Sequence, residues 1–410
     1  MRILIVGDSF GFPNGGGASA RVYAYAKGLM ANDVCVRVLC LKTTERKESG
    51  ILNTESDGSY EEILYTYTCG QTIRAESFWR RRWLEMKGIL GFYKILFEKP
   101  NKQRYDALIL FSNSLVWIIF TVLFCRISGT VCIQEKSEFP FVYHKKTMWV
   151  KIYSSLFTRF VYRLSDGMIV ISTFLEEYFS KRIRKNARIL RVPILVEGTD
   201  QRASDEKQNG IIPRRIVYMG NLGHPGEVSS VIEAYVQVAH DYLDWNLQII
   251  GDSPGSDILT RLNDLAVNLR LNSRIEFTGM VKRDDLNHYL KGAGILVLPR
   301  SSGLFSQAGF PTKLGEYLAT GKPVIVTATG DIPLYLEDMV SAYLVPPDDT
   351  ASFIKKLRYV MSHPNEANTV GRRGRDVARI NFDYRSHCFK MKEFIHSLQD
   401  KNRIAKANTL

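Results

Sequence analysis

Lys313, Glu316 and Tyr317 fall three and four residues apart within Phe310–Val326, FPTKLGEYLATGKPVIV. In a helix that spacing puts all three on one face. Pro311 suits a first helical turn, where its missing N–H costs nothing, and Gly321 sits where a helix should stop. Pro323-Val-Ile-Val then opens an apolar run of strand length. A helix start that presents a cation and a carboxylate beyond a strand edge is a cradle for a charged, hydroxyl-rich ligand such as a sugar nucleotide. The same residues also read as a surface helix with a solvated Lys–Glu pair. The segment alone leaves both readings open.

Other stretches place chemistry at the ends of strand-like runs. After the first such run comes Gly11-Phe-Pro-Asn-Gly15-Gly16-Gly17, followed by helical text. Glycines there let backbone approach a ligand, and the following helix start favours an anion, although the spacing is neither G-x-G-x-x-G nor a P-loop. VCIQEKSEFPFVY delivers Glu135 and Glu138 beyond a strand, where paired carboxylates can orient hydroxyls or accept a proton. In the second half, Gly220-Asn221-Leu-Gly223, Gly251-Asp252, Thr278-Gly279-Met-Val281 and Arg300 each follow a strand-like run. Arg300 and Lys313 are the basic residues expected nearest a diphosphate.

The elements that must position these groups alternate twice over. Strands are expected at Arg2–Val6, Cys35–Leu41, Ala107–Phe111, Val131–Glu135, Gly167–Ile171 and Arg188–Val192. They are expected again at Arg215–Met219, Leu247–Gly251, Arg274–Thr278, Gly294–Leu298, Pro323–Val326 and Ala342–Val345. Helical text between them predicts α/β domains with parallel sheets covered on both faces. Asp200–Pro213 is polar, lacks periodicity and reads as a linker. The expected domains are 1–200, 201–380 and a terminal helix over 381–410. Ligands of such sheets bind beyond the carboxyl ends of the strands, here in a cleft between the two domains.

The 410 residues suffice for two domains, and 45% hydrophobic residues supply their cores. Six cysteines without a C-x-x-C pair predict buried thiols in a reducing compartment, and the short apolar run at Met1 predicts no signal peptide. The formal charge of +13 invites an anionic partner. It is concentrated in Arg74–Arg104, where arginines and lysines alternate with Phe78, Trp79, Trp83, Phe92, Tyr93 and Phe97. That mixture predicts a helix lying on an anionic membrane surface rather than a nucleic-acid site; packing of its aromatics on its own domain is the rival reading. Leu108–Cys125 is broken at Ser112-Asn-Ser114, so Leu115–Arg126 is expected to be a buried helix and not a membrane span.

IVYMGNLG, LQIIGD, RIEFTGMV, GILVLPR and FPTKLGEYLATGKPVIV, in this order over roughly 214–347, resemble the carboxyl domain of the retaining glycosyltransferase family 4, the glycosyl transferases group 1. QEKSEFP and DGMIVISTFLEEYF carry the looser amino-terminal likeness, and the whole is similar to enzymes of bacterial surface polysaccharides such as capsule and lipopolysaccharide. The resemblance implies the GT-B fold: two Rossmann-like, doubly wound domains facing across a cleft, the terminal helix crossing back to the first. It implies a nucleotide-sugar donor, a UDP- or GDP-sugar, bound by Gly15, Gly16, Gly17, Gly220, Asn221, Gly251, Gly279, Val281, Arg300, Lys313, Leu314 and Glu316, with Glu316 on the donor ribose. The family's first motif glutamate falls on Ala308, and its Arg/Lys pair after the first strand of the carboxyl domain is absent. Lys313 is therefore expected to take over neutralisation of the diphosphate.

The expected reaction is sugar transfer with retention to a saccharide acceptor, lipid-linked in view of the basic aromatic segment, at the cytoplasmic face of the membrane. Glu138 is the catalytic group on the acceptor side with Glu135 beside it, and no metal or other cofactor is expected. A GT-B sugar-nucleotide epimerase and a catalytically silent sugar-nucleotide-binding partner protein are the alternatives.

Overall fold

Aliphatic runs bounded by glycine or polar text form strands buried on both faces: Ile3, Leu4, Ile5 and Val6 have no exposed surface, nor have Leu108, Ile109 and Leu110. The computed structural model describes residues 1–46, 51–97, 104–139, 148, 155, 157–197, 213–223, 225–252 and 257–407. Most of the expected linker at 200–213 lies outside the described residues, as does Pro140. The chain divides into two units, one of 1–47, 51–195 and 384–410, the other chiefly of 196–383.

The first unit runs β1 (Arg2–Gly7), α1 (Gly17–Met30), β2 (Cys35–Cys40), β3 (Asp57–Tyr60), β4 (Ile63–Tyr67), α2 (Phe78–Phe97), β5 (Ala107–Phe111), α3 (Leu115–Ser128), β6 (Val131–Lys136), β7 (Gly167–Val170), α4 (Thr173–Ser180) and β8 (Arg188–Arg191). Its sheet has the order β3-β4-β2-β1-β5-β6-β7-β8, parallel throughout except for β3, which pairs antiparallel with β4. That hairpin is an addition to the expected strands. Its polar β3, DGSY, has no periodic signal and is held by pairing with β4.

The second unit runs β9 (Arg215–Met219), α5 (Pro225–Ala239), β10 (Asn246–Ile250), α6 (Ile258–Asn268), β11 (Ile275–Gly279), α7 (Arg283–Lys291), β12 (Ile295–Leu298), α8 (Leu304–Ala308), α9 (Thr312–Ala319), β13 (Val324–Thr327), α10 (Ile332–Tyr335), β14 (Tyr343–Val345), α11 (Thr350–Ser362) and α12 (Pro364–Asn381). Its sheet is wholly parallel, in the order β11-β10-β9-β12-β13-β14. Both units are thus doubly wound α/β domains of Rossmann type.

The last helix, α13 (Tyr384–Ala407), belongs to the first unit. Its Cys388, Met391, Ile395 and Leu398 join the core of that unit with Val22, Ala26 and Leu29 of α1. Gly28 makes the approach possible, since a Cβ there would lie 2.5 Å from Cys388 Sγ and 2.7 Å from the Tyr384 carbonyl oxygen.

One expectation about packing is corrected. The helix read as buried, α3, hides Trp117, Ile118, Thr121, Val122, Phe124 and Cys125 but leaves Val116, Ile119, Leu123 and Ile127 exposed. A helix laid on one face of a sheet buries one side, and burying the other would take a further layer.

Candidate functional site

In the second sheet, β9 sits between β10 and β12, so the chain leaves β9 toward one side of the sheet and later returns on the other. Loops diverge at such a switch point and leave a crevice beyond the strand ends. Gly220–Gly223 follow β9 and Arg300 follows β12. Gly251, at φ +130, lets the loop after β10 press on the loop after β9: a Cβ there would lie 1.9 Å from the Gly220 carbonyl oxygen. The N–H of Arg300 donates to Thr327 Oγ1 at 2.8 Å, which fixes the chain as it leaves β12.

Arg300 is only 7% exposed. Its Nη1 is buried with no hydrogen-bond partner among the described residues. Gly309 makes room beside the guanidinium, because a Cβ there would stand 3.4 Å from Nη2. A buried guanidinium N–H without an acceptor is costly, and an anionic ligand oxygen would satisfy it.

Helix α9 supplies the neighbouring charges. Gly321, at φ +72, follows its end. Lys313 and Glu316 are partly buried, and Tyr317 is wholly buried with its Oη accepting the Met219 N–H at 2.6 Å. Burial pulls the Lys313 ammonium down to about 8, against the pull of Glu227 and Glu316, and Arg300 adds to the lowering. Burial raises the Glu316 carboxyl, opposed by Arg283 and Lys313. Burial also lowers Arg300, which Glu227 and Tyr218 oppose. Two cations and two carboxylates therefore share one environment at the switch point.

Glu227 is the residue the sequence reading passed over. It stands in the first turn of α5 and faces Tyr218, Arg300 and Lys313. Its signal in the sequence is an acidic residue opening the helix that follows Gly220–Gly223.

Gly279, at φ +67, ends β11, and Val281 is partly buried just beyond it. Asn221 is exposed and its Oδ1 accepts the Gly223 N–H at 2.9 Å, so it shapes the turn after β9. Leu314 is fully buried and donates its N–H to the Pro311 carbonyl oxygen. The stretch 301–312 holds α8, and Ala308 within it is wholly buried.

In the first unit, the glycine loop that follows β1 is fastened: Tyr67 Oη accepts the Phe12 N–H at 3.1 Å and Asn53 Oδ1 accepts the Asn14 N–H at 2.9 Å. Gly15, Gly16 and Gly17 then lead into α1, with Gly15 and Gly16 exposed. Glu138 is exposed beyond the end of β6. Glu135 departs from its expected place on the acceptor side. It lies inside β6, paired with Arg21 at 2.6 Å, the two side chains 3% and 1% exposed. Ser137 Oγ donates to the same carboxylate oxygen, and Arg21 also donates to the Val192 and Pro193 carbonyl oxygens. Alternation along the strand explains this: Glu135 points to α1, whereas Gln134 and Lys136 point to the other face. Lys136 Nζ donates to the Ser112 carbonyl oxygen and to Asn113 Oδ1, both at 2.7 Å. Among the described residues no three His, Cys, Asp or Glu side chains gather as a metal site would require.

A two-unit α/β chain with paired cations at the switch point of its second sheet falls in the class of GT-B glycosyltransferase folds. Sucrose-phosphate synthase of Thermosynechococcus elongatus superposes with a TM-score of 0.71 at 17% identity, over 97% of this chain and 99% of that one. HepE of Anabaena, in its complex with UDP-glucose, superposes with a TM-score of 0.67 at 14% identity, over 97% of this chain and 100% of that one. Residues 201–377 match the family described as glycosyl transferases group 1, so the chain carries a group 1 glycosyltransferase domain in its second unit. Among curated proteins, that assigned to colanic acid biosynthesis as the glycosyltransferase WcaL of Escherichia coli K12 is 25% identical over 173 residues, 42% of each chain. The D-rhamnosyltransferase WbpZ of Pseudomonas aeruginosa is 24% identical over 237 residues, 56% of this chain and 58% of that one. The chain thus spans less than two thirds of either relative's length.

Proposed function

We propose that the protein is a glycosyltransferase that moves a sugar from a nucleotide-sugar donor, a UDP- or GDP-sugar, to a lipid-linked saccharide acceptor in surface-polysaccharide synthesis, with retention at the anomeric carbon and without a metal. The observation that carries this reading is the buried Arg300 guanidinium beside Lys313, its Nη1 without a hydrogen-bond partner among the described residues, at the switch point of a group 1 domain. Binding of UDP-glucose by HepE supports a nucleotide sugar as the ligand class. As the bond from the anomeric carbon to the diphosphate breaks, its electron pair passes to a phosphate oxygen. Arg300 and Lys313 stabilise that growing charge, which is often the largest catalytic contribution. The acceptor oxygen bonds to the same carbon, and its proton is assigned to Glu138, the exposed carboxylate beyond β6. Glu316 holds the donor ribose. The enzyme acts at the cytoplasmic face of the membrane.

The test screens UDP-, GDP- and dTDP-sugars by thermal shift, since a ligand that binds only the folded chain raises its midpoint. Nucleotide release is then followed with and without a lipid-linked acceptor, and the product's anomeric configuration is read by NMR. Acceptor-dependent release of nucleotide supports the reading. Conversion of the donor with no acceptor present replaces it with an epimerase, and binding without turnover replaces it with a silent partner protein.

A further inference from the structure

Helix α2 has two apolar faces. One packs inward through Leu84, Gly88 and Phe92. The other is a stripe of Trp79, Trp83, Met86, Leu90 and Phe97, at helical spacings of three, four and seven, and it faces solvent. Helix α3 repeats the arrangement, exposing Val116, Ile119, Leu123 and Ile127. All nine side chains are between 47% and 79% exposed. The two helices are joined: Tyr93 Oη donates to the Phe120 carbonyl oxygen at 3.0 Å, and the Phe97 and Phe124 rings meet edge to face with centroids 6.0 Å apart. The two stripes therefore belong to adjoining helices of the first unit. Exposed apolar faces on two helices that touch mark an interaction site.

Its charge selects the partner. Arg80, Arg82, Lys87, Lys94 and Arg126 are exposed on the two helices, whose sole acidic residue is Glu85. Lys87 Nζ lies 5.6 Å from the centre of the Trp83 ring, so cation and aromatic face share one edge of the stripe. No helix among the described residues is long and apolar enough to cross a membrane. A basic, aromatic-rich apolar face on helices of this kind suits shallow burial among lipid headgroups, with tryptophans at the polar boundary.

We propose that the exposed faces of α2 and α3 together form a platform that docks the protein on an anionic phospholipid leaflet, both helices lying in its plane. For its purpose this rests on the reading of a lipid-linked acceptor. The test floats the full chain with vesicles of phosphatidylglycerol and phosphatidylcholine. The chain is expected to float with the mixture, to float at least tenfold less with phosphatidylcholine alone, and to detach partly in high salt. Two variants separate the helices: Trp79→Ser with Trp83→Ser and Leu90→Ser on α2, and Ile119→Ser with Leu123→Ser on α3. Each is expected to lower vesicle binding about tenfold or more with UDP binding and the urea unfolding curve unchanged, which reports that both units still fold. Wild-type chain that ignores vesicles, or an α3 variant that binds as wild type does, overturns the platform. So does a dimer in sedimentation that the same substitutions dissociate, since a second copy would then cover this face. Vesicle binding by a chain that binds no sugar nucleotide leaves the platform standing and removes the glycosyltransferase reading.

Discussion

The hydroxyl of Tyr317 accepts the backbone N–H of Met219 at 2.6 Å, with the tyrosine ring wholly buried. This bond ties α9 to the carboxyl end of β9, and so holds Lys313 and Glu316, one turn or less earlier on the helix, against the switch point. Tyr317→Phe leaves the Met219 N–H without that partner and should cost about 1–3 kcal/mol. Urea unfolding measures the loss. An unchanged midpoint would show that the bond contributes nothing to placing the helix.

Lys313 sets an expectation for pH. Its ammonium is held down at about 8 chiefly by burial. A diphosphate beside it stabilises the charged form, so above pH 8 binding must take up a proton. Affinity for UDP should be level from about pH 7, where its terminal phosphate is ionised, to pH 8, and fall above that toward a limit of about tenfold per pH unit. Lys313→Met should weaken binding at pH 7 and abolish the fall, as read by calorimetry. A fall that persists in the variant would assign the titration to another group.

Glu227 brings a negative charge toward Arg300 and Lys313, where the proposed phosphates would sit. Glu227→Gln should tighten UDP binding several-fold at pH 7 by removing that repulsion. Because Glu227 also supports the charged form of Lys313, the variant's loss of affinity with rising pH should begin below 8. Weaker binding at pH 7 would mean that Glu227 positions the cations rather than opposing the ligand.

For Glu135 the expectation concerns stability, not turnover. Glu135→Ala strands the Arg21 guanidinium in the core and should cost about 3–5 kcal/mol. Replacing both residues by apolar ones should recover much of the loss. If Glu135→Ala instead kept wild-type stability and lost only acceptor use, the buried pair would not be its main role.

Lys136 should reveal itself in alkaline solution. Burial lowers its ammonium to about 8, so between 8 and its ordinary range the unfolded chain holds more protons than the folded one. Stability attributable to Lys136 therefore rises with pH in that window, by at most about 1.4 kcal/mol per unit. Buried Cys40, raised by desolvation, opposes it, because folding keeps that thiol protonated. The difference between wild type and Lys136→Met isolates the lysine. A difference that does not change with pH would refute its depressed titration.

Much was legible in the sequence because its signals are local. Aliphatic runs gave the strands of both sheets nearly to the residue, the β3–β4 hairpin excepted, and Pro311 and Gly321 bracketed α9 as helix chemistry requires. Lys313, Glu316 and Tyr317 shared a helix face through spacing alone, and Arg300 was placed at a strand end. Tertiary structure decided which partners these groups meet. Glu135 was legible as a carboxylate but not as the buried mate of Arg21, which lies 114 positions away in the chain. Glu227 was legible as the acidic opening of a helix but not as the neighbour of Arg300 and Lys313. Periodicity showed that α3 was apolar, but not that it would keep a second apolar face in water. That depends on how many layers the fold stacks over a helix, a property of packing that no local pattern encodes.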